Sequence, residues 1–542
     1  MSSDKFSYMF SKRAAICFFI IAVLFFSCIL RVAVAATADY SDVQKNQSSL
    51  RLTAGGLRGT IYDRNMVPIT NSKSKIIAAV SPTPRAVTAI SSVLSGEALQ
   101  NVLERLKEGK PVLCEVPREI DCDGIACTSV YEHNSADMAA THTVGYTDSD
   151  FHGVSGLEKA YDEYLYSDKK VSFVYTTDGR GNILEGIKPE IEDDTSVGAA
   201  GVVSTLDVNI QAIAEEAAKK IECGAVVIAE AKTSKIRASV SVPDFDVTNL
   251  GEYLETDNSP LLNRALAAYN VGSVFKPCVA AAGIEAGKGE FCYTCTGGTK
   301  IIDRYFKCHN SAGHGYMNLK YGLANSCNTY FYNFAFETGG ERIYNAASAL
   351  GFGKSVKLCD GILTAKGSLP KSESLSNIAY LANFSIGQGE LLISPAAMLN
   401  LYCAIASDGA YNTPSIVEGT LSEGTFTPYK SGQRTRAMKK ETAAVLREYL
   451  SAVIEEGTGK SAKPSAVSAA GKTATAQTGK YENGIEICEG WFCGFFPADD
   501  PVYTVIVFSE NMQKQSASCA EVFAEIADRI YSLENKESSR QS

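Results

Sequence analysis

The chain has no basic excess. Its 542 residues carry 51 Lys and Arg against 61 Asp and Glu, a formal net charge of −10. A nucleic-acid surface needs clustered cations, so the balance argues against nucleic acid as a partner. Histidine is scarce. The five residues, at 133, 142, 152, 309 and 314, contain no His-Glu-x-x-His pair, which argues against metallopeptidase chemistry. No repeat of solenoid period is present. Charged residues make up 21% of the chain and apolar ones 45%, a balance that supports sizeable cores rather than wholesale disorder. The length exceeds one ordinary domain, so two globular units with accessories are expected.

The long apolar run stands at the N-terminus. Ala14 to Leu30 is seventeen residues without a charge, with Lys5, Lys12 and Arg13 before it and Arg31 after it. Continued to Ala36 with Arg31 snorkelling, the helix is long enough to cross roughly 30 Å of hydrocarbon. Lys12 and Arg13 favour a cytoplasmic N-terminus and an exported remainder. The other reading is a cleaved signal peptide, because Ala33-Val34-Ala35 resembles a small-residue cleavage site. The run is long for a signal core and Arg31 interrupts it before that site, so an uncleaved anchor over 14–36 is preferred.

Sixteen cysteines in an exported chain raise the question of disulfides. Cys17 and Cys28 lie in the anchor, and the others follow no regular frame. Cys292-x-x-Cys295 followed by Cys308-His309 has the ligand types of a zinc site, although the surrounding sequence fits a loop lid. Structural zinc, one disulfide such as Cys295–Cys308, and ordinary thiols all remain open.

Beyond a polar spacer over 37–54, residues 55–200 mix short β-like runs with helical stretches such as Gly96 to Lys107. No nucleophile–base pair stands out there, so this segment reads as a catalytically quiet spacer domain. The acidic stretch Lys188 to Gly198 is a plausible boundary. A second unit follows over 201–535, then a polar tail over 536–542. Within it, Asp207 to Lys220 has helical apolar spacing. Ala225–Glu230 and Ile236–Ser241 read as a hairpin about Lys232-Thr233-Ser234. Strand-like runs return at Trp491–Phe496 and Val502–Phe508, and Ser518–Leu533 reads as an amphipathic helix. Strands at both ends with helices between and after them suggest one antiparallel sheet fed from both termini, an α+β domain.

Gly272-Ser273-Val274-Phe275-Lys276 carries the chemistry. Positions three apart share a helix face, so the Lys276 amine can sit beside the Ser273 hydroxyl. A serine hydroxyl needs a base to become a nucleophile, and a desolvated, neutral lysine can supply one. Ser-x-x-Lys alone is weak, since a solvated helix face gives the same spacing. Two more elements follow in order: Ser326-Cys327-Asn328 after a helix-like Leu319–Ala324, and Lys472-Thr473-Ala474-Thr475 opening a β-like run. Ser-x-x-Lys, Ser-x-Asn and Lys-Thr-Gly in this order are the motif set of active-site serine β-lactamases and penicillin-binding proteins.

From Arg58 onward the chain resembles the class B penicillin-binding proteins. Arg58-Gly59-Thr60-Ile61-Tyr62-Asp63-Arg64-Asn65 and Gly153-Val154-Ser155-Gly156-Leu157-Glu158 are similar to motifs of that family's pedestal domain. Asn263-Arg264-Ala265, Gly387-Gln388-Gly389 with Ser394-Pro395, Gly457-Thr458-Gly459 and Trp491-Phe492-Cys493-Gly494-Phe495 are similar to motifs around its active site. No glycosyltransferase segment is seen before the pedestal, the difference from the bifunctional class. The resemblance implies a five-stranded antiparallel sheet flanked by helices, as in serine β-lactamases, with an N-terminal mixed α/β pedestal and one transmembrane helix.

The same resemblance implies a peptidoglycan D,D-transpeptidase that β-lactams inhibit covalently. Ser273 would attack the D-Ala-D-Ala carbonyl of a stem peptide with Lys276 as base, and Ser326 would relay a proton to the leaving nitrogen. Asn328 would bond the substrate amide, while Lys472 and Thr473 would hold the terminal carboxylate. The backbone N–H groups of Ser273 and Thr475 would form the oxyanion hole, worth roughly 3 kcal/mol per donor. Neither cofactor nor metal is expected. The partners implied are the cytoplasmic membrane and a polytopic glycan polymerase of the SEDS type (shape, elongation, division and sporulation).

Ala474 departs from the pattern by standing where the family has Gly, on the strand along which substrate lies. The expectation is a methyl that points away from the ligand. Other readings meet specific objections. A soluble β-lactamase would lack the Arg58–Asn65 motif, and a β-lactam sensor would need a cytoplasmic signalling part. A D,D-carboxypeptidase shares the acyl-enzyme. A degenerate scaffold would not need Ser273, Lys276, Ser326, Asn328 and Lys472 together.

Overall fold

The computed structural model describes residues 3–37, 49–184, 187–194, 200–430, 432–513 and 516–541. Most of the expected spacer, residues 38–48, and the end of the expected boundary, 195–198, lie outside the described residues. Helix α1 spans Ser3–Thr37, and its segment Arg13–Val34 is 22 residues of mean hydropathy 2.7 with no buried share. That is long and apolar enough to cross a membrane.

The chain divides into two compact units that interleave in sequence. One consists of 1–55, 75–130 and 170–193, the other of 56–74, 131–169 and 194–542. The segment expected as one pedestal, 55–200, is therefore shared between them. In the first unit a three-stranded sheet holds Lys73–Val80 between Val112–Val116 and Ile125–Glu132. Helices Pro84–Ser91 and Gly96–Leu106 contribute Ala86, Ile90, Val102 and Leu106 to the core beside it.

The second unit opens with the two family-like N-terminal stretches, which meet each other. The Arg58 guanidinium, 1% exposed, donates from Nε to Glu158 Oε2 at 2.5 Å. Its Nη1 donates to Asp162 Oδ1 at 2.8 Å and to the Phe151 carbonyl at 2.7 Å. His133 Nε2 takes the other Glu158 oxygen at 2.9 Å. A buried ion pair is tolerable only when its remaining donors and acceptors are satisfied, as they are here. Gly59 has no alternative, because a Cβ there would stand 2.5 Å from the Ala200 carbonyl oxygen.

The larger part of this unit is built on a five-stranded antiparallel sheet. Its strands are β1 (Gly224–Glu230), β2 (Ile236–Val242), β3 (Ala470–Glu482), β4 (Ile485–Phe496) and β5 (Tyr503–Ser509). The order across the sheet is β2-β1-β5-β4-β3, so strands from both ends of the domain share one sheet. Both faces are covered, which is why β1 and β5 read as near-continuous apolar runs. On one face Val226, Ile228, Val505 and Val507 pack with Ile210 and Ile213 of α2 (Val208–Ala218) and with Phe523, Ile526 and Ile530. On the other, Val227, Ile506 and Trp491 join the core of α3 (Lys276–Glu285), α4 (Leu319–Ala324), α5 (Asn328–Thr338) and α6 (Pro395–Ala406).

The last helix, α7, runs Cys519–Gln541. It continues past the expected end at Leu533 through residues of good helix propensity, and so takes in most of the expected polar tail. The expected loop lid is two small hairpins. Tyr293–Cys295 pairs with Gly315–Met317, and Gly298–Ile301 pairs with Arg304–Lys307.

Candidate active site

Ser273 sits on a 3₁₀ turn, Gly272–Phe275, that leads into α3 at Lys276. A 3₁₀ turn has three residues per turn, so side chains at i and i+3 eclipse. The turn is fixed by close backbone approach. Gly272 has φ +58°, and its N–H donates to the Gly387 carbonyl at 2.9 Å. A Cβ on Gly387 would stand 2.0 Å from the Gly272 oxygen. Gly387 is therefore obligatory at this contact, and the left-handed backbone at 272 favours glycine there.

Lys276 is fully buried. Its Nζ donates to the Ser326 carbonyl at 2.7 Å, to Asn328 Oδ1 at 2.8 Å and to Ser326 Oγ at 3.2 Å. Ser326 Oγ in turn donates to Ser273 Oγ at 3.0 Å. Ser326 Oγ thus lies within hydrogen-bond reach of both the Lys276 amine and the Ser273 hydroxyl. Burial pushes the Lys276 amine down to about 7, with Cys327 and Cys308 pulling the other way. A large share of it is then the free base near neutral pH. Ser326 holds φ +53°, a left-handed conformation that costs a non-glycine residue roughly 1–3 kcal/mol and clusters at working sites.

Lys472, Thr473, Ala474 and Thr475 lie on β3, paired with Cys493, Phe492, Trp491 and Gly490 of β4. Lys472 is fully buried, its Nζ donating to the Thr473 carbonyl at 3.0 Å. Burial, and then the nearby Lys276 charge, hold its amine well below the usual lysine range. Thr473 Oγ1 lies 3.0 Å from Thr458 Oγ1, within Gly457-Thr458-Gly459. Thr475 is exposed, and its carbonyl oxygen lies 3.2 Å from where a Cβ on Gly272 would be. The Ala474 methyl is 8% exposed and faces Gly272, 3.4 Å from that same point. It packs against the Gly272–Phe275 turn. Trp491 Nε1 donates to the Asn270 carbonyl at 2.8 Å, tying β4 to the segment before Gly272. The three distant stretches thus converge around Ser273.

Cys295 and Cys308 are free thiols, not joined in the disulfide that their spacing allowed. The four-residue set named from sequence does not assemble: exposed Cys292 accepts a hydrogen bond from Tyr316 Oη at 2.9 Å. Instead Cys295, Cys308, His314 and Cys327 bring their ligand atoms within 4.8 Å of one another. His314 and Cys327 were not signalled by local spacing. Only the pairing of Cys295 opposite Gly315 and the turn after α4 bring them to Cys308.

Residues 224–530 match the family model described as the penicillin binding protein transpeptidase domain. Stage V sporulation protein D of Bacillus subtilis is 27% identical over 84% of this chain and 74% of its own length. Peptidoglycan D,D-transpeptidase MrdA of Acinetobacter baumannii is 27% identical over 68% of this chain and 58% of its own. Among solved structures, penicillin binding protein 3 of Mycobacterium tuberculosis complexed with aztreonam is 23% identical. It superposes with a TM-score of 0.65 over 90% of this chain and 97% of that one.

Proposed function

Because the chain belongs to the penicillin-binding protein transpeptidase family, on its class B side, we propose that it cross-links peptidoglycan stem peptides through an acyl-Ser273 intermediate that β-lactams trap. The observation carrying this reading is the buried chain Lys276 Nζ, Ser326 Oγ, Ser273 Oγ, with steps of 3.2 and 3.0 Å. A lysine whose amine is lowered toward neutrality by burial can, in its free-base form, take the Ser273 proton, directly or through Ser326, as Oγ attacks the D-Ala-D-Ala carbonyl. The negative charge on the carbonyl oxygen is met by the N–H groups of Ser273 and Thr475. Collapse of that intermediate breaks the amide bond, and Ser326 returns the proton to the departing D-Ala nitrogen. An amine of a second stem peptide then attacks the ester and releases Ser273.

Two interactions orient the donor. Asn328 keeps Oδ1 on Lys276, which leaves its amide N–H free to bond a substrate carbonyl. Lys472 and Thr473 receive the terminal carboxylate. A buried amine held low becomes charged when an anion arrives beside it, so binding and ion pairing reinforce each other. In the same reading residues 14–36 anchor the chain with its N-terminus inside, 55–200 serve as the pedestal domain, and 201–535 act outside the membrane. A SEDS-type polymerase supplies the glycan strands.

A fluorescent penicillin given to the wild type and to Ser273→Ala tests the reading, with the adduct located by peptide mass spectrometry. Labelling at Ser273 alone is expected. An unlabelled wild type, or a variant that labels equally, overturns it.

A further inference from the structure

The four clustered side chains have the geometry of a closed metal site. His314 Nδ1 lies 3.6 Å from Cys295 Sγ and 3.5 Å from Cys308 Sγ, and Cys308 Sγ lies 3.9 Å from Cys327 Sγ. Tetrahedral zinc with its ordinary bond lengths sets S···S edges of about 3.8 Å and S···N edges of about 3.5 Å. These three of the six separations match those edges, and the remaining three stay within 4.8 Å. The S···S distance is nearly twice the roughly 2.05 Å of a disulfide bond. Cys295, Cys308 and Cys327 are at most 7% exposed.

The surroundings suit a thiolate centre. Three thiolates and a neutral imidazole around a divalent ion leave a net charge of −1. α5 begins at Asn328, directly after Cys327, so the amide N–H groups of its first turn lie beside the cluster. Amide donors of this kind orient and tune metal-bound thiolates. His309, the neighbouring alternative, has its Nδ1 3.9 Å from the Cys308 sulfur alone.

We propose that Cys295, Cys308, His314 and Cys327 bind one zinc ion, which fastens the hairpin Tyr293–Met317 to the Ser326–Asn328 turn. Four protein ligands close the coordination shell, so the ion is structural and takes no part in the acyl transfer. Its leverage comes from position. Cys327 lies between Ser326, which bonds Ser273, and Asn328, which bonds Lys276. Holding the Cys327 sulfur holds both neighbours and offsets the left-handed strain at Ser326. The four are positioning residues. The binding site stands on its own geometry, while its effect on acylation rests on the function proposed above.

The test uses the full chain in detergent. Elemental analysis is expected to find about one zinc per chain in the wild type and in Cys292→Ser, whose thiol lies outside the cluster. His314→Ala and Cys295→Ser should lose it. Because those variants can fail to fold, the wild type is also stripped with a chelator and reloaded with cobalt(II). Tetrahedral thiolate coordination should then give a sulfur-to-cobalt charge-transfer band with strong visible absorption. Stripping should slow acylation by a fluorescent penicillin on the order of tenfold, and zinc should restore it. Metal-free wild type with a disulfide among the four, or zinc retained by both variants, overturns the site. Stripping without effect on acylation overturns the positioning role. A zinc-loaded wild type that no penicillin labels leaves the metal site standing and overturns the proposed function.

Discussion

At the scale of single residues, the site turns on how a lysine bonded only to neutral oxygens among the described residues is kept buried. The Lys276 amine falls to about 7 through burial, so its base form accumulates as pH rises through that value. The second-order rate constant for penicillin acylation should therefore climb with pH through an apparent pKa near 7 and then level off. Stopped-flow acylation across this range checks it, and a rate flat from acid to neutral pH would count against Lys276 as the base. Ala474 makes a second case. Its methyl packs against Gly272, so Ala474→Gly should change the acylation rate by no more than about tenfold, some 1.4 kcal/mol. A hundredfold gain would mean that the methyl obstructs substrate. The spacing of Ser273, Lys276, Ser326, Asn328 and Lys472 was legible because each motif is local. The bonding of Ser326 Oγ to both Lys276 and Ser273 was not, since it depends on which atoms Ser326 turns inward.

At the scale of elements, the distance between the two catalytic helices is set by a glycine. A Cβ on Gly283 of α3 would stand 2.1 Å from Phe334 Cζ of α5, and Phe334 is fully buried. That close approach brings the N-terminus of α3, with Lys276, to the N-terminus of α5, with Asn328. Gly283→Val should push the helices apart, costing about 1–3 kcal/mol as overpacking and slowing acylation as well. Thermal unfolding and penicillin labelling read the two effects, and a variant unchanged in both would show that the helices yield. The run Ala280-Ala281-Ala282-Gly283 announced a buried helix, but its partner was invisible, because the contact spans about fifty residues of sequence. The small hairpins were missed for a related reason. Three- and four-residue strands carry too little alternation to register, and with them went the pairing that places His314, not His309, beside Cys295.

At the scale of the whole molecule, the segment Arg13–Val34 presents its side chains without protein cover, at mean hydropathy 2.7. Water cannot hold so long an apolar run exposed at roughly 25 cal/mol per Å², so a bilayer is its expected solvent. Amino acid order alone left two fates, an anchor or a cleaved leader ending near Ala35. Both use the same apolar run, and α1 continues through the cleavage-like residues to Thr37. The anchor reading makes two demands that the leader reading fails. The protein should stay in the membrane pellet after alkaline carbonate washing, and its intact mass should include the residues before Ala36. Ile21→Glu with Phe25→Glu should weaken retention, because each acid near the centre of a span costs about 2.5–3.5 kcal/mol on insertion. The folded remainder of the chain does not include those positions, so any copies released to the soluble fraction should still label with penicillin at Ser273. A wild-type chain recovered in the wash with its N-terminus at Ala36 would assign the helix to export and leave the catalytic domain without an anchor of its own.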